Sequence, residues 1–398
     1  MARSVEALVR SALLLWARKS AGLSVVQAAK KVQVKAERLE SWERGERRPT
    51  VKQLRKLANT YKRPLAVFYL SEPPKDFQAI RDFRSLPGEI AGVESPGLKL
   101  EIRQAQERRE IALELYEGLQ DELPKFPAKA HLSDDPEALA IGMRRLLRMT
   151  REAQTLMTTG YDAFNRWRSA LEEAGILVFQ ARGIPVSEMR GFSIGQRPLP
   201  AVVVNIKDAP RGRVFTMLHE LVHIVLGDGG LCDLEEEAYR HPEEDRVETF
   251  CNRVAGAILV PKDDLLREDL VLAKGRRAQW SDDDIEELAG RYAVSREVLL
   301  RRLLIFNRTT KQFYERKRKQ FVKEYDEIRK RETSGFPPHY RLAISTAGPL
   351  FIRLVFNNYY QDKITTSDLS SFLNIKLKHV GRIETEVMGH KTVLGATA

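Results

Sequence analysis

Through most of the chain apolar residues recur at helical spacing, and only between residues 175 and 205 do they gather into short runs of strand type. In the first seventy residues the pattern predicts a helix over 5–19, a second over 25–32 capped by Ser24, a third over 35–42 closed by Glu43-Arg44-Gly45, and a fourth over 51–61 opened by Pro49 and Thr50. The connection 62–110 carries paired prolines and spaced aromatics, the signature of an extended segment laid on a surface. It leads into one long helix, whose Leu100, Ala105, Ile111, Leu115 and Leu119 form a core stripe. Asp134, Asp135 and Pro136 open further helices up to about residue 174.

From Gly175 the runs GILVFQ, MRGFSIG and AVVVNI are β-branched or aromatic and bounded by Gly and Pro, so they predict three strands. Either 191–195 or 201–205 could be a sheet edge able to hold an extended peptide, with an ordinary buried strand the favoured reading of 201–205. An apolar helix follows at about 211–227, then an acidic loop and a second helix over 243–261. Helices are expected over 281–301 as a pair and over 310–332, where Phe313, Phe321 and Tyr325 mark a packing face or a dimer seam. The last helices, at 349–360, 366–373 and 376–385, imitate helix-turn-helix spacing, with a short turn at Asn374. The expected fold is therefore multidomain and mainly α with a small β-sheet. Its parts are an N-terminal all-α domain over 1–70, a helical connector over 71–160, an α+β domain over 161–305 and an all-α region over 306–398.

Composition narrows this little, but charge does. The chain of 398 residues is 43% hydrophobic and 30% charged, an ordinary globular balance. No apolar run is long enough to cross a bilayer, and the N-terminal segment lacks a signal-type cleavage site, so no membrane partner is expected. The two cysteines, Cys232 and Cys251, suit a reduced, cytoplasmic setting. Residues 1–70 hold sixteen Lys and Arg against five Asp and Glu, which accounts for the whole net charge of +11. That excess points to a nucleic-acid surface on the first domain.

The candidate chemistry lies in the apolar helix. His219 and His223 are four residues apart and project from one face, a metal-binding geometry. Glu220 is rotated from His219 by about a quarter turn and can reach a metal-bound water without being a ligand. The pattern His-Glu-x-x-His is a zinc protease signature, and charged groups inside so apolar a helix need compensation of the kind a metal gives. A third protein ligand is required, with Asp245, Glu248, Cys251, His241 and Cys232 as candidates. Glu248 points inward beside the apolar stripe Val247, Val254, Ala255 and Ile258. Asn252 shares its face and could orient a ligand. For an oxyanion partner the residues within reach are Tyr239, His241 and Arg190. From His219 to Glu248 inclusive there are ten acids against two arginines, a rim that would favour a basic substrate.

Two resemblances follow from these residues. The spacing of Ala29, Val34, Leu39, Trp42 and the WERG turn resembles the XRE-type helix-turn-helix domain over 5–65, in which the third helix enters the major groove. Lys35, Arg38, Arg44, Arg47 and Arg48 are then the candidate phosphate contacts. Val25 and Ala36 stand where polar residues would meet DNA, and Glu37 and Glu40 face outward, so a protein-docking or scaffold role is the rival. The stretch 164–261, with RGFSI, AVVVN, FTMLHELVHIVL and ETFCNRVAGAILVP, resembles the ImmA/IrrE family of metallo-endopeptidases. That resemblance implies a zincin-like domain, with Glu248 as third ligand and Asn252 in its motif. It also implies a Zn2+ site, although two imidazoles and a carboxylate suit Mn2+ too. The family's substrate class implies that the partner is an XRE-type repressor or antitoxin-like protein, cut during stress response or mobile-element induction. The alternative is a DNA-binding regulator whose peptidase-like domain senses or docks without cutting.

Overall fold

The computed structural model of the protein describes residues 6–61, 63, 65–73, 81–82, 95–227, 230–232, 242–276, 279–331 and 338–389. Two compact units emerge: residues 1–79 with 88–106, and residues 80–87 with 107–398.

The first unit is a set of short helices, Ser11–Ser20, Val25–Val32, Ala36–Glu43 and Val51–Tyr61, followed by a 3-10 turn at Leu65–Tyr69. The first helix starts at Ser11 rather than at residue 5. Ala7 donates its N–H to Pro49 O at 2.9 Å and Glu6 bridges Thr50, so residues 6–7 are held extended and cannot join the helical ladder. Leu14, Ala28, Leu39, Trp42 and Leu54 fill the core. Across it Arg18 forks onto Glu43 at 2.7 and 2.8 Å and donates to Leu23 O, tying the first helix to the third.

The second unit is built on a five-stranded sheet in the order β1-β5-β3-β4-β2. The strands are β1 (Arg81–Asp82), β2 (Leu177–Ala181), β3 (Gly191–Ile194), β4 (Ala201–Asn205) and β5 (Gly230–Cys232). β2 and β4 pair in parallel, β3 and β4 antiparallel, with Gly191 opposite Val204 and Ile194 opposite Ala201. Every residue of β2, β3 and β4 is buried, which is why these strands read as continuous apolar runs. The 201–205 strand is thus interior and not an edge, while β3 carries β5 along Gly191 and Phe192.

The motif helix Pro210–Leu226 packs on β3 and β4, and the helix Gly160–Glu173 packs on the motif helix and β2. The helices His339–Ala347 and Pro349–Tyr360 also pack on β2, where Phe351 meets Phe179 edge to face. Arg109, on the long helix Pro96–Leu119, donates to the carbonyls of Gln196, Pro198 and Leu199 and so fixes the β3–β4 turn. The helix Lys311–Arg331 buries Phe313 and Phe321 in the same core, so that face packs within the chain.

The helix Pro242–Leu259 lies against the motif helix and against Pro136–Leu146. Its far end is held by a polar knot around Gln154, which is fully buried. Gln154 donates to Leu259 O and to Tyr292 O, both at 2.8 Å, and accepts from Arg144, which also donates to Ile258 O. Substituting Gln154→Ala should leave two buried carbonyls and a buried guanidinium short of partners. Urea unfolding is expected to report a loss of about 2–4 kcal/mol.

Candidate metal centre

The motif helix is shaped at both ends by local chemistry. Pro210 occupies the first turn, where a missing N–H costs little, and Gly227 ends the helix at φ 78. The N-cap is Ala209, whose side chain can accept no hydrogen bond, although Asp208 before it could have served as a cap. Asp208 instead sits beneath the first turn, accepts from Ala209 N at 2.9 Å, and takes the Tyr325 hydroxyl at 3.4 Å and Arg190 at 3.4 Å. A carboxylate there is favoured by the helix dipole.

Two turns further along, the helix carries the candidate ligands into the core. His219, Glu220 and His223 are each 0% exposed, and Glu248 on the neighbouring helix is 2% exposed. The Nε2 atoms of His219 and His223 are 3.1 Å apart. Glu248 Oε2 lies 3.3 Å from His219 Nε2, and its Oε1 lies 3.4 Å from His223 Nε2. Donors bonded to one tetrahedral ion at roughly 2.0–2.2 Å stand on the order of 3.3 Å from one another. The three side chains therefore form a ready cradle for a metal, and they are the group found among the described residues. Burial alone would raise the Glu248 pKa, but the two imidazoles outweigh it and hold the carboxyl well below its ordinary value. The carboxylate is the ligating form.

Asn252, one turn beyond Glu248 and 9% exposed, completes the arrangement. Its Oδ1 lies 3.1 Å from His219 Nδ1. A side-chain oxygen there selects the tautomer with its proton on Nδ1 and leaves the Nε2 lone pair facing the cradle. The ligand helix thus supplies both a donor and the group that orients a donor on the other helix.

Glu220 faces β3. A Cβ built on Gly191 would stand 2.4 Å from Thr216 Cγ2, 3.0 Å from Val203 O and 3.3 Å from Glu220 Oε1, so only glycine lets the strand approach the motif helix this closely. The contact was missed in the sequence, although a glycine opening an apolar strand beside the motif helix was its signal. Arg190, the residue before it, is drawn to Asp208 at the N-terminal end of the motif helix, far along the axis from His219. It is not placed as an oxyanion partner.

Of the other ligand candidates, Asp245 is exposed and Cys251 is buried in the apolar core cluster. Tyr239, His241 and the acids 233–237 lie outside the described residues, and of Cys232 and 242–244 only the backbone is described. In the first unit the candidate DNA contacts Lys35, Arg38, Arg44, Arg47 and Arg48 are all exposed. Lys35 is the N-cap of the third helix and Arg38 lies over the Trp42 ring. Arg44 is engaged by Glu46 at 2.7 Å and by Glu40 at 3.6 Å, so its charge is already matched.

Two family models match the chain. The IrrE N-terminal-like domain of the M78 peptidases covers residues 171–304, which hold β2 to β5 and both ligand helices, and a helix-turn-helix domain covers residues 14–68. A search of curated proteins finds no match to this chain. M78 peptidases are metallopeptidases, and the His219, His223 and Glu248 cluster suits that class. No helix among the described residues is long and apolar enough to cross a membrane.

Two outcomes follow from this geometry. Asn252→Ala should keep the three ligands yet weaken metal retention about 10–100-fold, as read by competition with a chromogenic chelator. Gly191→Ala should push Thr216 and Glu220 aside. It is expected to lower the melting temperature and cut any metal-dependent turnover by about tenfold or more.

Proposed function

We propose that this chain, an ImmA/IrrE protein with an N-terminal helix-turn-helix domain, is a zinc-dependent endopeptidase that cuts a regulatory DNA-binding protein. The observation that carries the reading is the buried donor triangle of His219, His223 and Glu248, with Glu220 beside it and not among the ligands. A structural zinc site is commonly closed by four Cys or His donors, whereas three protein donors leave a position for water.

A zinc ion in this cradle would supply the Lewis acidity that acidifies a water and polarises a peptide carbonyl. The chain's own residues do the rest. Asn252 fixes the His219 tautomer, and Glu248 meets the site as a carboxylate. Glu220 accepts the proton of the attacking water and returns it to the leaving amine. Gly191 sets the distance between β3 and Glu220, and hence the depth at which a substrate strand would lie.

The substrate class rests on the joining of the two matched domains in one chain. A repressor or antitoxin of the XRE type shares the helix-turn-helix architecture of residues 14–68 and is basic, and Asp245 leaves an exposed acid at the start of the ligand helix. Lys35, Arg38, Arg47 and Arg48 are the residues we assign to phosphate contact by the N-terminal domain.

The test compares the native protein with Glu220→Gln at matched zinc content, using XRE-type repressors encoded beside the gene. Glu220→Gln should bind metal as before and lose cleavage by about 10²–10⁴-fold. A protein that binds repressor or DNA equally in both forms, and cuts in neither under inducing conditions, would be a regulator and not a protease. Manganese in place of zinc, found by metal analysis of the purified protein, would change the ion without changing the assignment of ligands.

A further inference from the structure

The second unit contains a copy of the helix-turn-helix geometry of the first. In the first unit Ser24 caps the second helix through a capping box with Gln27, and in the second Thr365 caps Thr366–Phe372 through a capping box with Asp368. Nine residues after each cap the chain enters the left-handed region, at Gln33 with φ 63 and at Asn374 with φ 51. The turns are closed by the same bonds. Gln33 N donates to Lys30 O and Asn374 N to Ser371 O, while Val34 N donates to Ala29 O and Ile375 N to Ser370 O, the latter two at 3.0 Å each.

Two residues further on, a lysine in extended conformation opens the next helix in both units. Lys35 has φ −72 and ψ 148, and Lys376 has φ −79 and ψ 143. The buried positions keep register as well: Ala28 with Leu369, Val32 with Leu373 and Trp42 with Ile383 are all 4% exposed or less. Upstream, Pro349–Tyr360 ends in a left-handed Asp362 as Ser11–Ser20 ends in a left-handed Gly22, with one residue more in the following connection.

The surfaces differ in sign. Where the third helix of the first unit presents Glu37 and Glu40, the matching positions here are Lys378 and Gly381, and exposed Lys376 and Arg382 flank them. The nearby acids are already engaged. Asp368 is used in the capping box, Glu384 accepts from Tyr360 and Glu386 stands 3.9 Å from Arg341. His379, in the middle of this face, is held below its ordinary pKa by desolvation and by the neighbouring Lys378, His339, Arg382 and Lys376.

We propose that residues 349–388 form a second helix-turn-helix that binds duplex DNA, with Lys376, Lys378 and Arg382 on the phosphates and the exposed Leu377 facing the groove. A helix at this register in such a motif is the one that enters the major groove. Neither matched family model reaches this segment. The proposal does not depend on the peptidase reading.

The test measures binding of a fluorescent mixed-sequence 24-base-pair duplex by the full chain across a salt series. Replacing Lys376, Lys378 and Arg382 together by Gln is expected to weaken binding about tenfold or more and to reduce the salt slope by roughly 2.7, about 0.9 for each lost phosphate contact. A charge-matched control, Lys311→Gln with Lys319→Gln and Lys323→Gln, should bind as the native chain does. The single exposed reversal Lys378→Glu should weaken binding several-fold, which guards against misfolding of the triple variant. Unchanged affinity and slope in the triple and single variants would overturn the proposal. An equal loss in the control, or an equal dependence on these residues for single-stranded DNA, would overturn it too.

Discussion

Three ionisable or polar donors sealed in an apolar core are the constraint around which the second unit is arranged. His219, His223 and Glu248 have no solvent to stabilise them, so each must be satisfied by the others, by a neighbour or by an ion. That requirement places two helices in contact along their apolar stripes, because the donors sit on different helices. It also explains why the outer supports are polar and buried. Gln154, Arg144 and Arg302 hold the carbonyls of Ile258, Leu259 and Val260 and so anchor the end of the ligand helix. Without them the helix carrying Glu248 could slide, and a displacement of an ångström would break donor contacts of 3.1–3.4 Å.

The opposite wall is set by an absence of side chain. Gly191 brings β3 within van der Waals reach of Thr216 and Glu220, and Arg109 fixes the turn that follows β3 by binding three of its carbonyls. Two distant devices, one a missing Cβ and one a buried guanidinium, therefore fix one dimension of the site. The placement of the His219, His223 and Glu248 cluster and the distance of β3 from Glu220 thus rest on different contacts.

The residues of the candidate metal cluster were legible in the sequence because their signals are local. A helix of period 3.6 puts His219 and His223 on one face whatever surrounds it, and the Glu248 helix shows its buried side by the same rule. The strands 177–181, 191–194 and 201–205 were legible through composition. Contacts made across long sequence separations were not. Arg109 against Gln196–Leu199, Gln154 against Tyr292 and Tyr325 against Asp208 join residues about ninety to nearly one hundred and forty positions apart, and no periodicity encodes them. The start of the first helix failed for a related reason, since Ala7 is claimed by Pro49 and not by its neighbours. The strand 191–194 could not be assigned to interior or edge until its partners on both sides, β5 and β4, were known.

The C-terminal helices are tied to the sheet by charge as well as packing. Glu172 is buried, and burial raises its pKa to about 7 against the pull of Arg168 and Arg353. It accepts from Leu350 N at 3.0 Å at the start of Pro349–Tyr360, while Gly348 passes so close to Val178 that a Cβ there would lie 2.4 Å from its carbonyl oxygen. Asn358 donates to Leu115 O from the other end of the same helix. These contacts make 349–388 part of the body that holds β2, and not a tethered appendage. A DNA-gripping face on Lys376, Lys378 and Arg382 would then carry the donor triangle to the duplex with it. On the proposed reading the substrate is itself a DNA-bound repressor, and a peptidase fixed to the same polymer would meet it at a raised local concentration, as with any two sites held on one scaffold. Affinity for that substrate at the His219, His223 and Glu248 site itself could then be modest.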